Sequence, residues 1–338
     1  MDKSPKISVI MPVYNASKYL SEAIQSILTQ TFFNFELIIS YDKSSDNSLE
    51  IIKRYQNIDD RIVLLTGDAR GLVRSLNDAI NISRGEYIAR MDADDISMPN
   101  RFEDQLEFME SNLNVGVCGS WIEVFGENIK NSLWKLPTSN DEIKTRLLFS
   151  VTFAHPSVMM RKGLIDGYNL YYKEEYKFAE DYKFWLDFSH LTQFANISKV
   201  LLRHRYLESS ASRVSESEKN DIRYNVIKKI FEKVLDKLNI KNTEEENRLH
   251  FILGLNERIE KEDVDLKFLD VYLNKVVESN RKKNVFNQKY LEQFLAKKFL
   301  TVVFFKIKRK KIELFSILRS KYFYIGLISV LKEKVATR

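Results

Sequence analysis

Asp92-Ala93-Asp94-Asp95 puts three carboxylates directly after an apolar run, Tyr87–Met91. Carboxylates gathered at the end of a strand can hold a hard divalent cation through oxygen ligands. Such a cation can in turn hold a diphosphate. No glycine loop is present to do that work instead. No G-x-G-x-x-G follows a strand-like run, and no G-x-x-x-x-G-K-[ST] occurs. This argues against a dinucleotide-dependent dehydrogenase and against a P-loop kinase. Three more sets follow apolar runs: Pro12-Val13-Tyr14-Asn15, Tyr41-Asp42 and Gly67-Asp68-Ala69-Arg70. Between them they offer an aromatic ring and carboxylates suited to a nucleotide.

The elements that must position these groups alternate. Strand-like runs Ile7–Met11, Phe35–Ser40, Ile62–Thr66 and Tyr87–Met91 are separated by helical spacings. One such spacing is Leu20, Ala23, Ile24, Ile27 and Leu28; another is Leu72, Leu76, Ala79 and Ile80. Val115–Val124 reads as a fifth strand. Strands alternating with helices predict β-α-β units and a parallel sheet, with ligands bound beyond the carboxyl ends of the strands. Residues 137–212 are mixed in pattern. From about Ser215 the pattern is wholly helical and rich in Lys, Glu and Asn.

With 338 residues, the chain suggests one large domain plus an appendage. A hydrophobic share of 44% and a charged share of 30% exclude a disordered or fibrous chain. One cysteine, Cys118, excludes a disulfide framework or a Cys-rich zinc site. The start reads as lacking a secretion signal, and no run is long and apolar enough to span a bilayer. The net charge of +6 is unevenly placed. Residues 297–338 hold 12 Lys/Arg and 2 Asp/Glu, so the preceding 296 residues carry 41 basic and 45 acidic groups, or −4. The body therefore shows no bias toward nucleic acid.

Several of these motifs together resemble glycosyltransferase family 2, the inverting nucleotide-sugar enzymes of the GT-A fold. The matching residues are Ser8–Asn15, Gln30-Thr31-Phe32, Phe35–Ile39, Asp46-Asn47-Ser48, Gly85–Asp95, Pro99 with Arg101, His155-Pro156-Ser157 and Ala179–Leu186. They fall in the family's order over about 180 residues. The resemblance implies a Rossmann-like α/β fold: a mostly parallel central sheet flanked by helices, here with a helical C-terminal extension. It divides the chain into a catalytic domain, 1–213, a helical region, 214–296, and a basic amphipathic tail, 297–338.

The resemblance also implies roles. Tyr14 stacks on the nucleotide base, with Pro12 and Asn15 shaping that wall. Asp42 accepts a hydrogen bond from the base. Asp92 leans toward the ribose, and Asp94, with Asp92, ligates Mg²⁺ or Mn²⁺ on the diphosphate. Asp181 is the general base on the acceptor hydroxyl. Two departures stand out. Tyr41, Asp42 and Lys43 occupy positions where relatives often have two Asp and a Gly, and Lys tolerates φ > 0 poorly. Leu207 stands where many relatives carry a His, with His204 three residues earlier, which leaves a third protein metal ligand unassigned. Plainer readings exist for most of these residues. Asp95 suits a helix cap, Tyr14 a half-buried core aromatic, and Glu180 a helix start. His155 suits a satisfied core histidine. Arg70 and Arg74 suit either nucleotide contact or plain surface charge.

The expected function is inverting transfer from a nucleotide-sugar, most simply a UDP-sugar, to a glycan or lipid-linked acceptor in surface polysaccharide synthesis. Two alternatives remain at this point: a nucleotidyltransferase making a nucleotide-sugar, or an inactive GT-A binding subunit. The tail interleaves basic, aromatic and aliphatic residues, which suits an anionic membrane surface on the cytoplasmic side. A chain ending near residue 293 is expected to stay folded.

Overall fold

The computed structural model describes residues 4–68, 70–208, 220–311 and 314–336. The chain forms two compact units, one from 1–140 with 151–220 and the other from 141–150 with 221–338. The domain boundary expected at 213/214, with Ala69, lies outside the described residues.

The first unit is an α/β layer structure. Its strands are β1 (Ile7–Val13), β2 (Phe35–Asp42), β3 (Ile62–Gly67), β4 (Tyr87–Arg90), β5 (Ile96–Ser97), β6 (Val115–Phe125), β7 (Ser132–Trp134), β8 (Met159–Arg161) and β9 (Gln193–Arg205). They form one sheet in the order β3-β2-β1-β4-β8-β6-β9-β5, with β7 paired to β6. The first four are parallel, as the alternation predicts. Beyond β4 the sheet is mixed: β8 runs antiparallel to β4 and β6, while β9 runs parallel to β6.

β2 is buried throughout and β1 nearly so, which is why both read as continuous apolar runs rather than alternating ones. Helix α1 (Ser17–Leu28) buries Leu20, Ala23, Ile24 and Ile27 against the core. Helices α2 (Ser48–Gln56), α3 (Gly71–Ile82) and α4 (Arg101–Ser111) follow the same rule, and α5 (Asn140–Arg146), α6 (Lys162–Tyr168) and α7 (Glu180–Phe188) come after them in the chain. Gly85 is required sterically: a Cβ there would lie 2.5 Å from the Ser8 backbone nitrogen, in the close approach that starts β4 beside β1. Cys118 is buried in β6, and burial pushes its thiol up to about 12.

Several motif residues turn out to build the frame. Gln30 Nε2 donates to Met98 O at 2.7 Å, and its Oε1 accepts from Phe102 N at 3.1 Å. Arg101 is fully buried and donates to the carbonyls of Arg90 (2.8 Å) and Val158 (3.2 Å). These bonds satisfy backbone groups on either side of Asp92–Asp95, at Arg90, Met98 and Phe102, and at the neighbouring Val158.

The second unit is helical. Among the described residues, no helix is long and apolar enough to cross a membrane. Helix Gln288–Lys308 runs through the boundary expected at 297 and buries Leu295, Phe299, Val302 and Val303. The backbone is therefore helical without a break across residue 297. Ending the chain near 293 would strip these side chains from a packed core, because a charge count does not register helix continuity.

His250 is fully buried in this unit. Its Nε2 lies 2.8 Å from Leu148 O, its Nδ1 lies 2.6 Å from the Tyr272 hydroxyl, and its ring stacks on Phe149. Burial pushes it down to about 4. The folded ring is therefore neutral where the unfolded one begins to charge, at about 6.5. Stability should be constant above that pH and fall as pH drops from 6.5 toward 4, by roughly 3 kcal/mol at the lower end. Urea midpoints measured across this range check it, and His250→Gln should flatten the slope. A midpoint unchanged from neutral pH to pH ~4.5 would contradict it.

Candidate active site

The end of β4 delivers the acidic cluster. Asp92, Asp94 and Asp95 each offer a carboxylate oxygen, all within 4.8 Å of one another. Their commitments differ. Asp95 is fully buried, with Oδ2 3.0 Å from His204 Nδ1 and Oδ1 accepting from Arg205 N at 2.7 Å. It thus fastens β9 to the turn and is not the cap of α4, a position held by Asn100. Arg205 also donates from Nε to Asp94 O at 2.8 Å and pairs with Glu22. Asp92 Oδ1 pairs with Arg90 at 2.5 Å. The half-buried Asp94 carboxylate has no hydrogen-bonding side-chain partner among the described residues.

Electrostatics follow from this crowding. Burial and the neighbouring Asp92 and Asp95 carboxylates push Asp94 up to about 7. Burial would lower His204, but the Asp95 hydrogen bond and the carboxylate charges outweigh it and push the imidazole up to about 9. The charged His204 imidazole thus lies against the Asp95 carboxylate. Hard oxygen donors this close together suit a divalent cation, which would relieve the repulsion.

The candidate base-binding wall lies at the ends of β1 and β2. Tyr14 is 65% exposed, so it is not a core aromatic. Pro12 is half-buried opposite Ser40. Asn15 adopts a left-handed φ of 47° and accepts from Ser45 N at 2.9 Å. Asp42 is buried and accepts from Lys43 N and Arg70 N, both at 3.0 Å, and from Gly71 N at 2.9 Å. It draws the turn after β3 over the end of β2. Gly71 has a φ of +70°, which only glycine adopts freely. Lys43 is not among the positive-φ residues, so the lysine that replaces glycine there brings no strain. An open cleft of about 500 Å³ lies beside this wall, lined by Tyr41, Lys43, Thr66 and Asp68 among others. Arg70 and Arg74 both pair with Asp78.

Asp181 lies half-buried in the first turn of α7 (Glu180–Phe188), where its Oδ1 accepts from Tyr182 N at 2.8 Å. Phe178, just before the helix, holds a φ of 75°. A bulky side chain in that region stores strain, which is found where a site over-determines its backbone. Burial and then Asp181 push Glu180 up to about 7.

Arg90 pairs with Asp92, a role that its sequence position alone does not assign. It is 3% exposed, and its charge acts on Asp92, Glu180, His155 and Tyr172. His155 Nε2 lies 2.8 Å from the Tyr172 hydroxyl, and burial plus Arg90 hold His155 well below its usual range. The signal was available: Arg90 and Asp92 share one face of an extended segment, at i and i+2.

The family model for glycosyl transferase family 2 matches residues 8–167. An uncharacterized glycosyltransferase of Haemophilus influenzae is 31% identical over 231 residues, covering 65% of this chain and 72% of its own. The Escherichia coli UDP-Gal:alpha-D-GlcNAc-diphosphoundecaprenol beta-1,3-galactosyltransferase is 34% identical over 223 residues, covering 63% of this chain and 78% of its own. In fold, the chain is similar to Staphylococcus aureus TarS 1–349 in complex with UDP-GlcNAc. The TM-score is 0.56 at 21% identity, covering 92% of this chain and 90% of that one.

Proposed function

The chain belongs to glycosyl transferase family 2 and is a glycosyltransferase of GT-A fold; from that premise, we propose that it inverts the anomeric centre of a UDP-sugar in transferring the sugar to a lipid-linked glycan. The observation that carries this reading is the division of labour among carboxylates. Asp94 is uncommitted in a crowded trio at the strand end, while Asp181 stands apart on α7, and the charge of Arg90 spans both sets. The E. coli relative's name, with its UDP-Gal donor and diphosphoundecaprenol-linked acceptor, supports the choice of substrates.

Asp94 and Asp92 would hold Mg²⁺ or Mn²⁺, a fit of hard oxygen donors to a hard cation. When bound, that cation would offset the negative charge of the departing diphosphate. Tyr14 would stack on the base, beside Pro12 and Asn15; Asp42 would accept a hydrogen bond from the base while it fixes the loop after β3, and Asp92 would lean toward the ribose. The acceptor hydroxyl has a pKa far above 7, so its proton must leave as its oxygen attacks. Asp181 would take that proton while the bond from the anomeric carbon to the diphosphate oxygen breaks. Attack from the opposite face turns an α-linked donor into a β-linked product. Such chemistry belongs to surface polysaccharide assembly at the cytoplasmic face of a membrane.

A panel of nucleotide-sugars screened by thermal shift with Mn²⁺ tests the donor. The right donor raises Tm by mass action, and UDP, not pyrophosphate, should be released in turnover. Release of pyrophosphate from UTP and a sugar phosphate would favour a nucleotidyltransferase, and no release would favour an inactive subunit. Tyr14→Ala should weaken UDP binding by about 1–3 kcal/mol, the usual range for base–aromatic stacking. Unchanged affinity would remove Tyr14 from the site.

A further inference from the structure

The last helix, Lys321–Ala336, is packed inside out. Its inward face carries Tyr322, Gly326 and Ser329, all buried. Gly326 is where it crosses helix Gln288–Lys308: a Cβ there would meet Leu300 at 2.8 Å. Four other large apolar side chains of the helix face out. Tyr324, Leu327, Ile328 and Leu331 are 50%, 44%, 53% and 55% exposed. Their spacing, i, i+3, i+4 and i+7, makes one stripe. A surface helix of a water-soluble domain does the reverse, burying the large side chains and exposing the small and polar ones. The short helix Leu314–Arg319 continues the pattern with exposed Leu314, Phe315 and Leu318, and the Tyr324 hydroxyl donates to Leu318 O at 3.0 Å. Seven exposed large apolar side chains on two consecutive helices point to an interaction site.

The charge around the stripe identifies the occupant. Residues 304–332 contain eight Lys/Arg and one acid, Glu313. Four of the cations are engaged within the unit. Lys306 and Lys311 pair with Asp263, Lys308 pairs with Glu260, and Arg309 donates to the carbonyls of Ile259 and Glu262. Lys310, Arg319, Lys321 and Lys332 stay exposed, flanking the apolar stripe. A second copy of the chain seated on this face by two-fold symmetry would set these cations against themselves. An anionic lipid surface satisfies both features at once.

We infer that this stripe seats in the interfacial layer of an anionic bilayer, with apolar insertion rather than charge supplying most of the hold. The cations would steer and orient the approach, and the side chains would enter the boundary between headgroups and acyl chains. This extends the proposed membrane-side location and rests on that reading.

The test uses the full chain and sucrose-loaded vesicles of three parts phosphatidylcholine to one part phosphatidylglycerol. The wild type should pellet with them and stay largely bound in roughly 1 M NaCl, where the screening length is about 3 Å. The triple variant Leu327→Ser, Ile328→Ser, Leu331→Ser should lose at least about tenfold in vesicle partitioning at high salt, because apolar burial sets that component. Lys310→Gln with Lys332→Gln should weaken binding only a few-fold, and only at low salt. Complete release of the wild type by high salt would overturn the inference, as would equal high-salt binding by the triple variant. A wild-type dimer that the triple variant dissociates, with no vesicle binding by either, would assign the face to a second copy. UDP affinity, measured in parallel, should be the same for every variant. Loss of vesicle binding with UDP binding retained therefore separates failure here from failure of the transferase reading.

Discussion

With Asp181 replaced by asparagine, UDP binding should be unchanged and sugar transfer should slow by about 10²-fold or more. The substitution is nearly isosteric. The Asn side-chain oxygen can still accept from Tyr182 N, as Asp181 Oδ1 does at 2.8 Å, so the first turn of α7 is preserved. What disappears is an oxygen able to take a proton as the acceptor hydroxyl attacks. The loss should fall on kcat, with the acceptor KM little changed, because the missing interaction forms only as the proton moves. Glu180→Gln makes the contrast. Burial and Asp181 already push Glu180 up to about 7, so its replacement removes a group that is partly neutral at working pH. Its effect should be smaller. Near wild-type turnover by Asp181→Asn, or an equal loss in both variants, would take the general base away from Asp181.

The parallel half of the sheet was legible because β1, β2 and β3 are largely apolar runs, each followed by a helix with an apolar face, and β4 adds a fourth strand-like run before the acidic turn. The other half was not. β5 and β8 have two and three residues, too short to show a period. β9 mixes polar and apolar positions over 13 residues, because its edges and faces meet different neighbours along its length. In the site, the acidic trio could be read from its spacing, but the partners that separate the roles of its members could not. His204 lies 109 residues from Asp95 and meets it only through the pairing of β9 with β5. Arg90 looks like an ordinary charge at a strand end. It is buried because β4 lies between β1 and β8. The C-terminal stripe was legible as composition, since Tyr322–Leu331 is the longest apolar run. Its outward orientation was not, because only the packing of Gly326 reveals which face is inside.

Asp94→Asn should produce two opposite effects. Burial and the adjacent Asp92 and Asp95 carboxylates raise Asp94 to about 7 in the folded chain. An unfolded aspartate ionises near 3.9. Its folded form therefore costs stability that grows as pH rises from about 4 to 7 and is fully present above that. Removing the charge relieves the cost. Without metal, the variant should melt higher than the wild type at a pH of about 8, and the difference should vanish toward pH ~4. With Mn²⁺ the order should reverse. Asp95 is held by His204 and Arg205, and Asp92 gives one oxygen to Arg90, so Asp94 is the carboxylate with most to offer a cation and Asp92 would be the second ligand. Calorimetry of UDP with Mn²⁺ should show most of the metal-dependent affinity gone, while weak metal-free UDP binding through the Tyr14 wall persists. Asp95→Asn should behave differently, since it removes the charge that faces the His204 imidazole across the tie between β9 and the turn, and it should lower the melting temperature with or without metal. If Asp94→Asn binds UDP and Mn²⁺ as tightly as the wild type, the cation does not sit on Asp94. If its apo form melts lower at high pH, the three carboxylates are not in the mutual repulsion their spacing implies.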